Sequence, residues 1–204
     1  MKLISKIKVT AKMTLMSGLH IGDSSENIEI GGIDKTIIRR RKDNIPYIPG
    51  SSMKGKIRSL LEQIAGASEV GRIPEINNVF GFAANNQSSK VIFRDSYLDV
   101  ESKSLLESSE FTDMPYSEIK MENSIERITG KATNPRKIER IPAGVSFDVE
   151  IIINVWDSEE DGKKSLDMLK KGIHALENDY LGGSGSRGYG QVKFSELKTE
   201  EIAL

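Results

Sequence analysis

The sequence predicts an α+β chain with a ferredoxin-like (RRM-like) βαββαβ core. Three observations predict it. Val9 to Leu15 and Val145 to Ile151 alternate apolar with polar residues, the period-two mark of a half-buried strand. Met53, Ile57, Leu60, Leu61 and Ile64 share one helical face, as do Leu166, Leu169, Ile173, Leu176 and Tyr180. In chain order the segments read strand, helix, strand, strand, helix, strand, which as four antiparallel strands backed by two helices is the ferredoxin-like arrangement.

The first strand covers residues 4–15 and ends at Gly18-Leu19-His20-Ile21-Gly22. Residues 23–50 show no period and carry glycine, proline and charge, which predicts a functional loop or small subdomain. Pro49-Gly50-Ser51-Ser52 opens the first helix, with serine expected as its N-cap. Residues 90–100 read as a single second strand on which Phe93 and Tyr97 share a face. Residues 101–142 are polar and basic, with prolines at 115, 135 and 142, and read as an insertion. Residues 143–157 give the third strand and 190–197 the fourth.

Composition bounds the chemistry. The chain has 204 residues, enough for one good core or two small ones. There is no cysteine, so there is no disulfide framework and no thiolate metal site. The only two histidines, His20 and His174, argue against a zinc site or a two-histidine ribonuclease. No apolar run approaches membrane-spanning length and no signal-peptide core is visible, so the expected location is the cytoplasm, away from membranes. Net charge is −1, yet Lys35 to Arg58 holds eight basic residues and one acid, Asp43. A local basic face on a near-neutral protein is an electrostatic footprint for a polyanion. An ordinary solvated face is the plainer reading of such a run.

Leu181–Gly190 reads L-G-G-S-G-S-R-G-Y-G, five glycines and one arginine at a helix-to-strand junction. Glycine permits positive φ and close backbone approach to a bulky anion. Arg187 adds a planar donor fork suited to phosphate. Lys54 and Arg58 lie four apart near the start of the first helix, where the positive dipole end favours phosphate. No P-loop, Rossmann fingerprint, serine–histidine pair or paired-histidine zinc motif is present. The RNA-recognition signature of glycines and aromatics is also absent, so Phe93 and Tyr97 read as core. RNA, if bound, is held by loops.

Five motifs then combine. Gly18–Gly22, Gly31-Gly32-Ile33-Asp34, Ile45–Lys56 (I-P-Y-I-P-G-S-S-M-K-G-K), Asn134–Arg140 (N-P-R-K-I-E-R) and Leu181–Gly190 occur in this order. Together they resemble the RAMP-superfamily backbone subunit of the type III-A CRISPR effector, the Csm complex, from about Lys6 to Phe194. The resemblance implies a single RAMP domain over 1–204, with a lid-type insertion at about 21–49 and a thumb-type insertion at about 101–142. It implies copies stacked along a guide crRNA, in contact with other Csm subunits, each cutting complementary target RNA at regular intervals in antiviral defence. Sequence would be read by base pairing while protein holds backbone and shape.

The same resemblance assigns residues. Asp34 matches the catalytic aspartate and would help hold a divalent metal, Mg²⁺ by expectation, beside the scissile phosphate. By itself Asp34 reads as a turn aspartate after two glycines. His20, Lys54, Lys56 and Arg58 match positions near guide RNA, as do Gly182, Gly183, Ser184 and Arg187. Arg127, Arg136 and Arg140 fall in the thumb, a hairpin implied to wedge into the guide–target duplex. Departures from the family pattern are Gly32, Lys35-Thr36 and Asp23-Ser24-Ser25. Lys35 places a cation beside Asp34, and Asp23 a negative charge near the RNA. The rival readings are a non-catalytic RNA-binding scaffold, the equivalent type III-B subunit, and a stand-alone RNA-processing endonuclease.

Overall fold

The computed structural model describes residues 2–23, 32–110, 112–156 and 159–204. Ser24, Ser25 and Gly31 of the motifs above lie outside them, as do residues 24–31 of the lid-type stretch and Asp157 of the third strand. The architecture is mixed α/β with antiparallel strands. β1 (Leu3–Leu15) lies centrally, paired on one side with β7 (Ser146–Trp156) and on the other with β8 (Val192–Ala203). Beyond β7 come β3 (Val91–Phe93) and β4 (Ser96–Leu98), and β2 (Tyr47–Ile48) pairs with β4. A separate hairpin joins β5 (Glu118–Ile125) to β6 (Ala132–Arg140).

The period-two patterns explain the sheet. Val9, Met13 and Leu15 of β1 are buried, as are Phe147, Val149, Ile151 and Ile153 of β7. The register sets Val9 opposite Ile151 and Met13 opposite Phe147, so both apolar sets face the same layer. That layer is α1 (Gly50–Ile64) and α4 (Glu159–Glu177). Their stripes, Met53, Ile57 and Leu60 against Leu169, Ile173 and Leu176, close the core. Burying one such side chain is worth about 1.5–3 kcal/mol. Gly172 allows the two helices to meet, because a Cβ there would lie 2.4 Å from Ile57 Cγ2. The opposite face of the sheet is charged, with Lys8 3.3 Å from Glu150 and Lys12 2.9 Å from Asp99. Two further helices, α2 (Pro74–Phe80) and α3 (Val100–Glu107), have no counterpart in the sequence reading.

Three expectations need correction. The second strand is not continuous: it breaks at Arg94-Asp95. Phe93 pairs with Ile151 and Tyr97 with Asp148, so four steps on one strand match three on its partner. That bulge turns Tyr97 outward, 44% exposed, while Phe93 stays packed on Phe80. The first helix has no serine cap: Pro49 is its N-cap, and Gly50 N–H donates to Asp95 Oδ1 at 2.8 Å. The residues that break the second strand therefore cap the first helix. The fourth strand also runs on to Ala203, through a bulge at Glu196 (φ 53°), because β1 continues to offer it a partner.

Candidate nucleic-acid interface

The hairpin edge holds Asp34. Its N–H donates to Lys137 O at 3.1 Å, and Lys137 N–H donates to Asp34 Oδ2 at 2.6 Å. The segment then follows β6 in parallel, Lys35 beside Ile138, with Glu139 N–H donating to Lys35 O at 3.0 Å. Asp34 is thus fastened by a strand about a hundred residues away, not by a local turn, and its side chain is exposed. The parallel pairing alone leaves the segment short of partners, and a buried carboxylate completes it. Glu139, 1% exposed, accepts Ile37 N–H at 2.9 Å, Ser117 Oγ–H at 2.6 Å and the Arg39 guanidinium at 2.5 Å. A carboxylate so buried is stable only when its lone pairs are filled, and these three donors fill them.

His20 meets the same edge. Its Nδ1 lies 2.7 Å from Glu139 O. A carbonyl only accepts, so Nδ1 carries a proton and donates it. The glycine-rich loop packs on the backbone of His20: Gly183 N–H donates to His20 O at 2.8 Å. A Cβ on Gly182, at φ +75°, would lie 2.3 Å from that oxygen, and one on Gly190 would lie 1.9 Å from Leu181 O. These glycines serve first to bring the loop against the end of β1. Three of the residues assigned to RNA by motif, His20, Gly182 and Gly183, are therefore contiguous, and Asp34 stands on the same stretch of β6.

The base of the hairpin is fastened separately. Tyr189, 1% exposed, donates its hydroxyl to Glu122 Oε1 at 2.7 Å. Lys120 Nζ and the Arg140 guanidinium lie 4.4 and 5.1 Å from its ring centre. Burial, then the bond to Glu122, push the Tyr189 hydroxyl up to about 12. Burial alone would raise Glu122, but the Tyr189 bond and the Arg187 and Lys120 charges outweigh it and hold it below the usual carboxylate range. Arg187, half exposed, also donates to Ser184 Oγ at 2.8 Å. Arg140 is bound to Glu118 and fills the space over Gly18. Arg127 and Arg136 are exposed further out on the hairpin.

The α1 cations are partly occupied within the fold. Lys54 donates to Ser89 Oγ at 2.8 Å, and burial, then the Arg58 charge, lower its pKa. Lys56 lies 3.2 Å from Asp179 Oδ1 and 3.6 Å from the Tyr180 ring centre. Arg58 donates to Glu62, Asn77 and the Gly81 carbonyl, which ties α1 to α2. Sequence pattern alone gives almost no sign that Glu122, Glu139, Arg39, Ser117 and Tyr189 hold the hairpin and the segment after Asp34. The one local signal was a tyrosine set between two glycines, a bulky ring where neighbouring side chains have been cleared.

Among the described residues there is no group of three or more His, Asp or Glu that could hold a metal ion. Asp34 stands as a single exposed carboxylate with Oδ2 engaged. That donor set fits a cation held mainly by phosphate oxygens, the habit of Mg²⁺ at nucleic-acid sites, and not an all-protein cage. No helix among the described residues is long and apolar enough to cross a membrane.

The model of the RAMP superfamily matches residues 12–193. The CRISPR system Cms endoribonuclease Csm3 of Enterococcus italicus is 42% identical over 197 residues, covering 93% of this chain and 90% of that protein. The Csm3 endoribonuclease of Streptococcus thermophilus is 38% identical over 205 residues, covering 97% and 91%. A crystal structure of a Csm3–Csm4 subcomplex of the type III-A CRISPR-Cas interference complex aligns with a TM-score of 0.63 at 29% identity, covering 100% of this chain and 82% of that one.

Proposed function

The chain belongs to the RAMP superfamily, among relatives named Csm3 endoribonuclease, and on that premise we propose that it is the repeated backbone subunit of a type III-A CRISPR-Cas (Csm) complex. It binds guide crRNA together with further copies and other Csm subunits, and it cuts the paired target RNA in the cytoplasm in antiviral defence. One observation carries the reading. A single strand, β6, holds the exposed Asp34 carboxylate and the His20 ring, and the glycine-rich loop rests on His20. The order β3/β4–β7–β1–β8 with α1 and α4 on one face supports a ferredoxin-like core. The β5–β6 hairpin suits a thumb over 101–142, and the segment 32–49 suits a lid-type insertion over 21–49.

In the proposed reaction the target 2′-hydroxyl gives its proton to water as its oxygen bonds to the adjacent phosphorus, and the bond to the 5′-oxygen breaks as that oxygen takes a proton from water, giving a 2′,3′-cyclic phosphate and a 5′-hydroxyl. A divalent cation shared by Asp34 and RNA phosphates would neutralise charge developing on that phosphate. The chain's own part is to fix position. Lys137 N–H anchors Asp34 Oδ2. His20, Gly182, Gly183, Ser184 and Arg187, together with Lys54, Lys56 and Arg58 of α1, grip guide backbone. Arg127, Arg136 and Arg140 meet the duplex through the thumb.

The engaged Oδ2 also supports a second reading, in which Asp34 only ties lid to hairpin and the chain is a non-catalytic scaffold. Asp34→Ala and Asp34→Asn separate the two. Asparagine keeps an acceptor for Lys137 N–H and loses the charge. Catalysis by Asp34 predicts that both variants bind guide normally and cut target slower by roughly a hundredfold or more. Full cutting by Asp34→Asn with failed assembly of Asp34→Ala would establish the scaffold role.

A further inference from the structure

We propose that the chain carries a second ligand site, remote from the glycine-rich loop, which holds an adenine base against the Trp156 indole and reads its edge with side-chain amides on and after α2. The inference does not depend on the guide-RNA reading above. His20 and the glycine-rich loop gather where β1 ends at Leu15 and β8 begins at Val192. Trp156 lies at the other end of the sheet, paired with Leu3. The 13 residues of β1 separate the two ends, about 40 Å of strand.

A cavity of about 450 Å³ lies between Trp156 and the segment from Asn78 to Lys90. That is within the range of small-ligand sites, about 300–1,000 Å³. Gln87, Ser89, Lys90 and Trp156 are half-buried and form its deeper part, while Asn78, Asn85, Asn86 and Ser88 are exposed at its rim. The loop is fixed by its own backbone. Phe82 N–H donates to Gln87 O at 2.8 Å, Gln87 N–H to Phe82 O at 3.0 Å, and Lys90 N–H to Val79 O at 2.9 Å. Gly81, at φ +80°, lets the loop fold back, because a Cβ there would lie 2.8 Å from Ser89 N. Ser89 Oγ donates to Val91 O at 2.8 Å and accepts from Lys54, the one residue assigned to guide RNA that touches the lining. A loop ordered in this way loses little further freedom when a ligand binds.

The loop's side chains remain uncommitted. The amides of Asn78, Asn85, Asn86 and Gln87, and the Trp156 indole N–H, make no hydrogen bond among the described residues. Lys90 is the only charged lining residue, and it lies 2.7 Å from Asp161 Oδ1. The cavity therefore offers no free charge to a phosphate or an ammonium group. An amide presents a donor and an acceptor side by side, the complement of N6–H and N7 on adenine. An indole face stacks a flat base. A sugar would present hydroxyls, whose strongest partners are carboxylates, and none lines the cavity. A flat, uncharged ring with a polar edge is the ligand that uses both the indole and the amides.

Trp156 is the chain's only tryptophan, so its emission reports on this cavity and not on the glycine-rich loop. The full-length protein is titrated with adenosine, uridine and oligoadenylate. Adenosine should change the emission to saturation, and uridine should bind roughly tenfold more weakly. Asn85→Ala with Gln87→Ala removes two amides that hold nothing in the fold, and keeps Asn86, whose φ of 52° favours asparagine. The melting temperature and guide-RNA affinity should stay as in wild type, while adenosine affinity should fall roughly tenfold or more. Oligoadenylate bound no more tightly than adenosine assigns the site to a free nucleotide. Tighter oligoadenylate binding that is lost in the double variant assigns it to an unpaired stretch of RNA. Absence of adenosine binding by both emission and calorimetry would overturn the proposal, as would an equal response to uridine or full adenosine affinity in the double variant. Weaker guide-RNA binding by that variant without any adenosine response would also overturn it, making the amides part of the guide surface. Adenosine binding by a chain that fails to bind guide RNA would sink the guide reading and leave this site standing.

Discussion

The helix-backed sheet and the lid–hairpin unit are held together by different physics. In the sheet, Met13, Phe147, Ile151 and Leu169 are sealed from water and the stabilising term is apolar burial. In the lid–hairpin unit most side chains of β5 and β6 are exposed, and the order comes from a few polar fasteners: Glu139 with its three donors, Lys137 with Asp34, and Tyr189 with Glu122. Burial is non-directional and tolerates small shifts, whereas hydrogen bonds fix angles. On the proposed reading the unit places one carboxylate against RNA, a task better served by a few directional bonds than by a core.

Four measurements would break or sharpen this contrast. Phe147→Ala, at the centre of the sheet, should cost about 3–5 kcal/mol of global stability in denaturant unfolding. A loss confined to the hairpin would show that the two regions are not separable. Gly190→Ala strikes the joint between them. With φ at +71° and the new Cβ on Leu181 O, it should cost about 2–4 kcal/mol and lower guide affinity as well, seen by thermal melting alongside RNA titration.

Glu139→Ala should leave the sheet intact and loosen the lid by about 1–3 kcal/mol, because Ile37 N–H and the Arg39 charge lose their acceptor. Hydrogen exchange should quicken at Ile37 and stay slow at Ile151; equal quickening at both would refute the division. The smallest effect concerns pH. The Glu122 carboxyl lies below its usual value in the fold, so its contribution is complete above the ordinary pKa of 4.5 and fades as pH falls through the lower folded value. Acid titration should release the hairpin base, by about 1 kcal/mol or less, before the sheet unfolds. Tyr189 fluorescence would report it, and Glu122→Gln should remove the step.

Much of this was written locally. The alternation of Val9–Leu15 and Val145–Ile151 and the stripes of the two long helices identify the sheet and its backing, because each pattern depends only on neighbours within a turn or two. The five motifs in order identify the family, and they name Asp34, His20 and the glycine-rich loop. Periodicity had no means of showing the break at Arg94-Asp95, since a bulge is defined by the partner strand, or that Asp95 caps a helix begun forty-five residues earlier. Nor did it reveal Glu139 as the residue that holds the lid. A glutamate in an exposed hairpin looks like solvated charge until Arg39, Ser117 and Ile37, from 22 to 102 residues away, arrive around it. The sequence alone determined the main elements and the family, through short-range pattern and motif, and singled out the residues to which the chemistry is assigned. Only the tertiary structure decided how they are held, because the partners that fix Asp34 and His20 come from distant chain and meet only on folding.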